Sequence, residues 1–240
     1  SNDRIVGGIN EEATRKVAKF YETFVGGDVL ICSAKTAEMC KLAENSFRDV
    51  NIAFANELSM VCDTHDIDPW ELIRLANHHP RVNILQPGTG VGGHCIAVDP
   101  WFIVSGDPEN ARIIKKARQV NDSKPDWVVR KVLEEVQDLV IKGVSEPVVA
   151  CLGLAFKPDI DDLRESPAVK VVEKLLNLGV DIIAVEPNVS DHEIFQLRSF
   201  DEALTADIIV ILVNHQEFSR SENKVKLLNA EAMDFCGALE

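Results

Sequence analysis

Positive charge is scarce in this sequence. Against 39 Asp and Glu stand 25 Lys and Arg, a formal net charge of −14 over 240 residues. Such an excess repels polyanions, which excludes nonspecific attraction to nucleic acid or to an anionic membrane as the basis of function. A phosphate-bearing ligand therefore needs a local basic pocket. Long apolar runs are missing too: 46% of the residues are hydrophobic, yet no run approaches the ~20 residues that span a bilayer. The six cysteines (Cys32, Cys40, Cys62, Cys95, Cys151, Cys236) are scattered, with no C-x-x-C and no short-range His/Cys cluster. Neither a metal site nor a disulfide framework is signalled. With no leader-like opening, a reducing cytosol is the expected compartment, so the protein is read as cytoplasmic.

What is present reads as α/β. Residues 1–34 look like strand, helix, strand: "RIVGG", a helix capped by Asn10 with Glu11 and Glu12 in its first turn, then "DVLICS". An opening this abrupt resembles the middle of a fold, and a fragment is expected. From Thr36 to about Cys62 a long helix is predicted, because Met39, Ala43, Phe47, Val50, Phe54, Leu58 and Val61 recur three or four apart. That stripe is expected to be buried. Further helices are expected from Asp68 and Pro69 to about His78, and from Asp107 and Pro108 to Gly143 with an interruption near "NDSKP". After "GVSEP", short continuous apolar runs ("VVACLGLAF", "DIIAVEP", "ADIIVILVN") alternate with helical stretches, as in a parallel Rossmann-like sheet covered on both faces. Three regions follow: 1–34, the end of an N-terminal α/β domain; 35–142, a central helical region; and 143–240, a Rossmann-like domain.

Three constellations carry chemistry. "QPGTGVGGHCIAVDP", residues 86–100, holds a literal G-x-G-x-x-G at Gly88, Gly90 and Gly93. A dinucleotide fingerprint needs a strand before it and a helix opening within it. Here the glycines follow Pro87, and Pro100 argues against a helix starting there. Backbone passing close to a ligand would instead justify four glycines in six residues, with Cys95 at the rim and Asp99 four residues on. Cys95 reads either as a small buried hydrophobe or as a nucleophile. A Cys/His hydrolase would need a base: the side chain of the adjacent His94 points apart from Cys95, and nothing in the spacing selects one of His65, His78, His79 and His215. The second constellation places Lys41, Asn45 and Arg48 on one helix face, a solvated face or a functional one. The third, "GLAFKPDIDDLRESP", puts Lys157 and Arg164 after a strand, at the carboxyl end where open α/β sheets bind ligands.

In this order, "KLAENSFRDVNIAFANEL", "GVGGHCIAVDP" and "GLAFKPDIDDLRESPA" resemble the nucleotide-sugar 6-dehydrogenases, the UDP-glucose/GDP-mannose dehydrogenase family. The resemblance covers essentially the whole chain. It implies an NAD-dependent enzyme that oxidises the C6 hydroxyl of a UDP-sugar twice, through a cysteine thioester, to a uronate. The wording "HPRVNIL" with "GHCIAVDPWF" implies UDP-N-acetyl-D-mannosamine as substrate, with UDP-N-acetylglucosamine or another UDP-sugar as the alternative. UDP-glucose itself is disfavoured, because Ala97 and Val98 stand where the UDP-glucose enzymes have proline and lysine. By resemblance Cys95 is the nucleophile, Lys41 and Asn45 hold the oxyanion, and Asp99 serves thioester hydrolysis. Arg81 reaches the sugar in a neighbouring subunit, the backbone of Gln86, Gly88, Gly90 and Gly92 wraps substrate, Phe156 and Lys157 contact UDP, and Arg164 reaches NAD. Residues 1–34 are then the end of the NAD-binding domain and 143–240 the UDP-binding domain. The central helix, with Phe47, Phe54 and Leu58, forms a homodimer interface. With most of the NAD-binding domain missing, the chain alone is expected to be inactive, a dimerising UDP-binding module.

Overall fold

A computed structural model describes residues 2–240. The chain opens with a small parallel unit: β1 (Arg4–Val6) pairs with β2 (Val29–Ile31), Ile5 opposite Leu30, and α1 (Glu11–Tyr21) is the crossover. Asn10 caps α1 by accepting from the Ala13 N–H at 2.8 Å, as its position before two glutamates predicts.

α2 (Ala34–Thr64) follows, N-capped by Ser33. Its buried side is not the apolar stripe that spacing predicts. Met39, Phe47, Phe54 and Val61 are exposed, Phe47 by 72%. The buried residues are Asn45, Ser46, Asp49, Ala53, Ala55, Asn56, Ser59 and Cys62. The correction has a physical cause: the helix packed against this side presents polar groups of its own, so polar side chains bury in pairs while the alanines allow close approach.

α3 (Pro69–Ala76) starts on the Asp68 cap, whose carboxylate accepts from the Trp70 N–H at 2.9 Å. α4 (Asp99–Gly106) corrects the expectation that Pro100 forbids a helix. In a first turn the missing N–H has no intrahelical partner to lose, so proline is accepted there. Asp107 ends α4 rather than opening the next helix, and α5 (Arg112–Ile141) runs unbroken through Pro125. Pro125 removes the donor that would satisfy the Asn121 carbonyl. The helix continues because its side chains are tied to α2 on both sides of the proline: before it Asn121 Nδ2 donates to Asp49 Oδ1 at 2.8 Å and Lys124 Nζ to Ser59 Oγ at 2.7 Å, and after it Lys131 Nζ pairs with Asp63 Oδ2 at 3.2 Å.

The remainder is a parallel four-stranded sheet made of β3 (Val148–Leu152), β4 (Asp181–Val185), β5 (Ile208–Ile211) and β6 (Met233–Asp234). The strands lie in the order β4-β3-β5-β6. Between them come α6 (Pro167–Asn177), α7 (Phe200–Ala203), α8 (Gln216–Ser219) and α9 (Ser221–Asn229). α5 and α6 cover one face, packing Val128, Val132, Val171 and Leu175 on Cys151 and Val210. Ala203, Phe218 and Leu227 cover the other, on Ala150, Leu152 and Ile211. Burial on both faces is why these strands read as continuous apolar runs. The chain runs outward from β3 to β4 and then returns past β3 to β5. The switch point therefore lies at the carboxyl ends of β3 and β5, where such sheets leave a crevice.

Candidate functional site

No strand precedes Gly88–Gly93, and α4 opens only at Asp99, so the loop lacks the context of a dinucleotide fingerprint. Its glycines answer mainly to protein. A Cβ at Gly92 would stand 2.6 Å from both the Glu165 carbonyl oxygen and Pro167 Cδ, and one at Gly93, whose φ is +79°, 2.9 Å from the Phe156 ring. At Gly90, with φ +140°, it would meet Pro167 at 3.0 Å and the Asn121 carbonyl at 3.1 Å, the carbonyl that Pro125 leaves without an amide partner. Only at Gly88 is the space open. The loop is thus pressed directly onto the segment after β3, and side chains would push the two regions apart.

A cleft of about 420 Å³ lies along that seam. Ala155, Phe156, Lys157 and Pro158 after β3, with Leu212, Val213 and Asn214 after β5, form one wall. Gln86, Gly88 and Gly90 form the facing wall, and Arg48 of α2 also lines it. Two distant stretches of sequence thus meet at the switch point of the sheet. Lys157 and Arg48 supply the local basic pocket that an acidic protein needs to hold phosphate. Arg81 is not in this cleft. It lines a neighbouring one of about 540 Å³ with Phe47, Arg48, Asn51, Asn83 and Leu85. Gly92 packs against Glu165 and Pro167 instead of lining either.

The second cluster joins α2 to the start of α4. Lys41 Nζ donates to Asn45 Oδ1 at 3.3 Å, and Asn45 Nδ2 donates to Asp99 Oδ2 at 2.5 Å. The Asp99 N–H in turn donates to the Cys95 carbonyl at 2.8 Å. Asn45 is buried while Lys41 is exposed, so the amide is the fixed element and the ammonium the mobile one. Cys95 is exposed and lines neither cleft. Arg164 is exposed and paired with Asp162 through Nε at 2.9 Å and Nη2 at 2.6 Å. Those bonds hold the Asp162 carboxyl down at about 2, so it is ionised at neutral pH, and Arg164 must release it to reach any other anion. Of the histidines considered as bases, His215 is wholly buried beneath the sheet's carboxyl edge and cannot face Cys95 at the surface.

Compared with known proteins, residues 35–123 match the central domain of the UDP-glucose/GDP-mannose dehydrogenase family, and residues 150–236 match its UDP-binding domain. The chain belongs to this family. It is 51% identical over 98% of its length to a UDP-N-acetyl-D-mannosamine dehydrogenase of Campylobacter jejuni, covering 57% of that protein. To an NDP-N-acetyl-D-galactosaminuronic acid dehydrogenase of Ralstonia solanacearum it is 53% identical over 91% of the chain and 52% of the relative. The solved structure of a UDP-D-ManNAc dehydrogenase from Pyrococcus horikoshii superposes with a TM-score of 0.86 at 37% identity, over all of this chain and 57% of that one. The chain spans little more than half the length of the curated relatives it matches.

NAD is the cofactor expected for a dehydrogenase of this kind, and the described residues do not fit it on their own. The loop at Gly88–Gly93 has neither the preceding strand nor the opening helix of a dinucleotide fingerprint, and in the turn after β1 Gly7 packs against Ser33, where a Cβ would lie 2.4 Å from the carbonyl oxygen. Arg164 can meet a further anion only after leaving Asp162.

Sequence reasoning missed the network beneath the loop. The Gly88 N–H donates to Asn56 Oδ1 at 2.8 Å, Asn56 Nδ2 to Asn121 Oδ1 at 2.9 Å, and Arg118 Nη1 to Asp49 Oδ1 at 2.6 Å beside Asn121. Thr89 Oγ1 adds a bond to the Leu212 carbonyl at 3.2 Å. The signal was available: Asp49, Asn56 and Ser59 stand seven and then three apart along α2, on the side away from the aromatic stripe. Arg48, noted only as the third member of a polar face, lines both clefts.

Proposed function

We propose that this chain is the substrate-binding and thiol-bearing part of an NAD-dependent UDP-sugar 6-dehydrogenase acting on UDP-N-acetyl-D-mannosamine. The observation that carries the reading is the cleft at the switch point, where Phe156 and Lys157 face Gln86, Gly88 and Gly90. A nucleotide there has an aromatic ring to stack on and a cation for its diphosphate, while the open backbone at Gly88 leaves room for the sugar. The reading includes the division into regions at 34/35 and 142/143, the placement of the enzyme in the cytoplasm, and Arg81 reaching the site of a second copy. NAD, when bound, would take the hydrides.

The steps assigned belong to the chain's own residues. The Cys95 thiolate adds to the C6 aldehyde carbon, the C=O π pair moves to oxygen, and the resulting oxyanion is held by Lys41 Nζ and Asn45 Nδ2. Such preorganised donors typically contribute ~10²-fold or more to the rate. After oxidation to the thioester, water adds to the same carbon, the C–S bond breaks, and the cysteine leaves as thiolate. Asp99, fixed by Asn45, takes the water's proton. Ala97 and Val98 favour an N-acetylated sugar over UDP-glucose. The Ralstonia relative, at 53% identity, keeps other N-acetylhexosamines as the alternative.

The test is site-resolved alkylation of the six cysteines by iodoacetamide, with and without UDP-N-acetyl-D-mannosamine. Cys95 is expected to label fastest and to be protected by the sugar nucleotide. Cys62 and Cys151 are internal controls, since both are buried and burial pushes the Cys151 thiol up to about 12. Labelling of Cys95 no faster than those two, with no ligand effect, sinks the reading.

The exposed Met39, Phe47, Phe54 and Val61 favour a homodimer through α2. Phe47→Glu with Phe54→Glu should give a folded monomer by sedimentation. An unchanged sedimentation coefficient rejects that interface. A second reading, a UDP-binding module without catalysis, is favoured for the isolated chain by the missing dinucleotide site, and NADH production by this chain alone would refute it.

A further inference from the structure

In a dinucleotide-binding sheet the strand after the glycine turn ends in an acid that takes the ribose hydroxyls. The corresponding place here is Glu186, the residue after β4. It is only 4% exposed, and protein donors occupy it. Oε2 accepts from the Leu154 N–H at 2.7 Å, the Ala155 N–H at 2.9 Å and His215 Nε2 at 3.0 Å. Oε1 accepts from the Asn188 N–H at 3.0 Å and from Asn188 Nδ2 at 3.2 Å. Every neighbour is a donor, so only an ionised carboxylate satisfies them all. Burial alone would push Glu186 up, but the bonds from His215 and from the N–H groups of Leu154 and Asn188 outweigh it and hold the carboxyl below its usual range.

His215 carries the arrangement across the loop. Its Nδ1 accepts from the Asp159 N–H at 2.9 Å, which leaves the proton on Nε2, the nitrogen facing Glu186. Asp159 is held with φ +58°, a conformation that non-glycine residues adopt rarely, and its Oδ1 accepts from the Gln216 N–H at 2.9 Å. Both ends of segment 154–159 are thereby tied to one buried pair. Phe156 and Lys157, the cleft residues, sit between the ties and make no bond to the pair themselves.

We propose that Glu186 and His215 are positioning residues for the nucleotide: they touch no ligand, and they hold Phe156 and Lys157 in the conformation that binds it. The inference rests on reading the cleft as a UDP site. It assigns to the acid after the second strand a new task, presetting the loop instead of gripping the ribose. A preset loop has less freedom to lose on binding, so loosening it weakens affinity without removing a contact.

The test is calorimetric titration of the chain with UDP. Glu186→Gln, which turns an amide NH2 toward donors, is expected to weaken UDP by about tenfold. His215→Gln is a milder variant that keeps a donor toward Glu186 and drops the acceptor for Asp159, and it carries the same test should Glu186→Gln fail to fold. Val132→Ala, buried in the apolar core away from the loop, controls for lost stability and should leave affinity within about twofold. Long-range ¹H–¹⁵N spectra should show His215 as the neutral Nε2–H tautomer. UDP binding by a folded His215→Gln within about twofold of the unmodified chain overturns the inference. So does an Nδ1–H or doubly protonated His215, or equal weakening by Val132→Ala. If the unmodified chain binds no UDP, the cleft reading itself fails and this inference falls with it.

Discussion

The two cores of this molecule are built differently. On the face of the four-stranded sheet covered by α5 and α6, the buried cluster is apolar, from Val149 and Val171 to Leu212. Between α2 and α5 the buried residues include the polar Asp49, Asn56, Ser59, Arg118, Asn121 and Lys124, while Met39, Phe47, Phe54 and Val61 of α2 are exposed. The apolar core derives its stability from buried area. The polar seam gains little net stability from its charges, since burying them offsets most of their attraction. It is not even saturated: Ser46 Oγ, Asp49 Oδ2 and Arg118 Nε lack partners among the described residues. What the seam fixes is position, because only one register of α2 against α5 brings Asn56 to Gly88 and Asn121 to Asp49.

The comparison breaks most visibly at Arg118. Its guanidinium bonds Asp49 and Asp122, with Asp49 wholly buried. Arg118→Met strands the Asp49 carboxylate, and a loss of about 3–5 kcal/mol is expected from urea unfolding. Leu175→Ala beneath the sheet should cost about 2–5 kcal/mol through a cavity. The two cores separate in the double variant: Asp49→Leu with Arg118→Met should recover most of the stability, because the charge then left without a partner, Asp122, is half-exposed and solvated and not buried. A double variant as unstable as Arg118→Met alone would mean that the seam stabilises by its ion pair and that the contrast is wrong.

The same contrast explains what was legible in the sequence. The C-terminal sheet could be read because strands buried on both faces leave unbroken apolar runs, and the caps at Asn10 and Asp68 because their chemistry is local. α2 misled in one respect. Phe47 and Phe54 make the obvious stripe, but the side facing α5 is set by distant partners, such as Arg118 for Asp49, 69 residues away. Pro100 and Pro125 misled for a related reason: a proline's effect depends on whether a donor is needed at its position, which only neighbouring elements decide. Cys95 with Asp99, and Lys41 with Asn45, were singled out by local pattern, but their roles came only through resemblance, and the bond from Asn45 to Asp99 spans 54 positions, beyond any periodicity.

A smaller effect separates the glycines. Gly92→Ala pushes a methyl into the Glu165 carbonyl and Pro167, both backbone-anchored, and should cost the ~1–3 kcal/mol typical of overpacking while widening the seam. Gly88→Ala meets nothing and should stay within about 0.5 kcal/mol. If the UDP affinity of the Gly88→Ala chain, measured alongside, falls more than that of Gly92→Ala, then Gly88 is the glycine kept for ligand and Gly92 the one kept for the fold. Equal stability losses would mean that the seam yields and does not fix position.

The finest distinction concerns Lys124. It is 1% exposed, its Nζ bonds Ser59 and lies 3.7 Å from the centre of the Trp127 ring, and no carboxylate pairs with it among the described residues. Burial pulls its ammonium from 10.5 down to about 7. Between those values the unfolded chain holds a proton that the folded chain has released. Stability therefore rises with pH across the interval, the penalty being full below about 7 and gone above 10.5. The slope from this one group is at most about 1.4 kcal/mol per pH unit. Lys124→Met should remove it, so the two stability profiles converge toward high pH and diverge toward neutrality, with Met the more stable. Parallel profiles would show that Lys124 stays protonated, as it would if a charge partner forms in solution. The polar seam would then be neutralised as pairs throughout, with no lone ammonium retained for the sake of position.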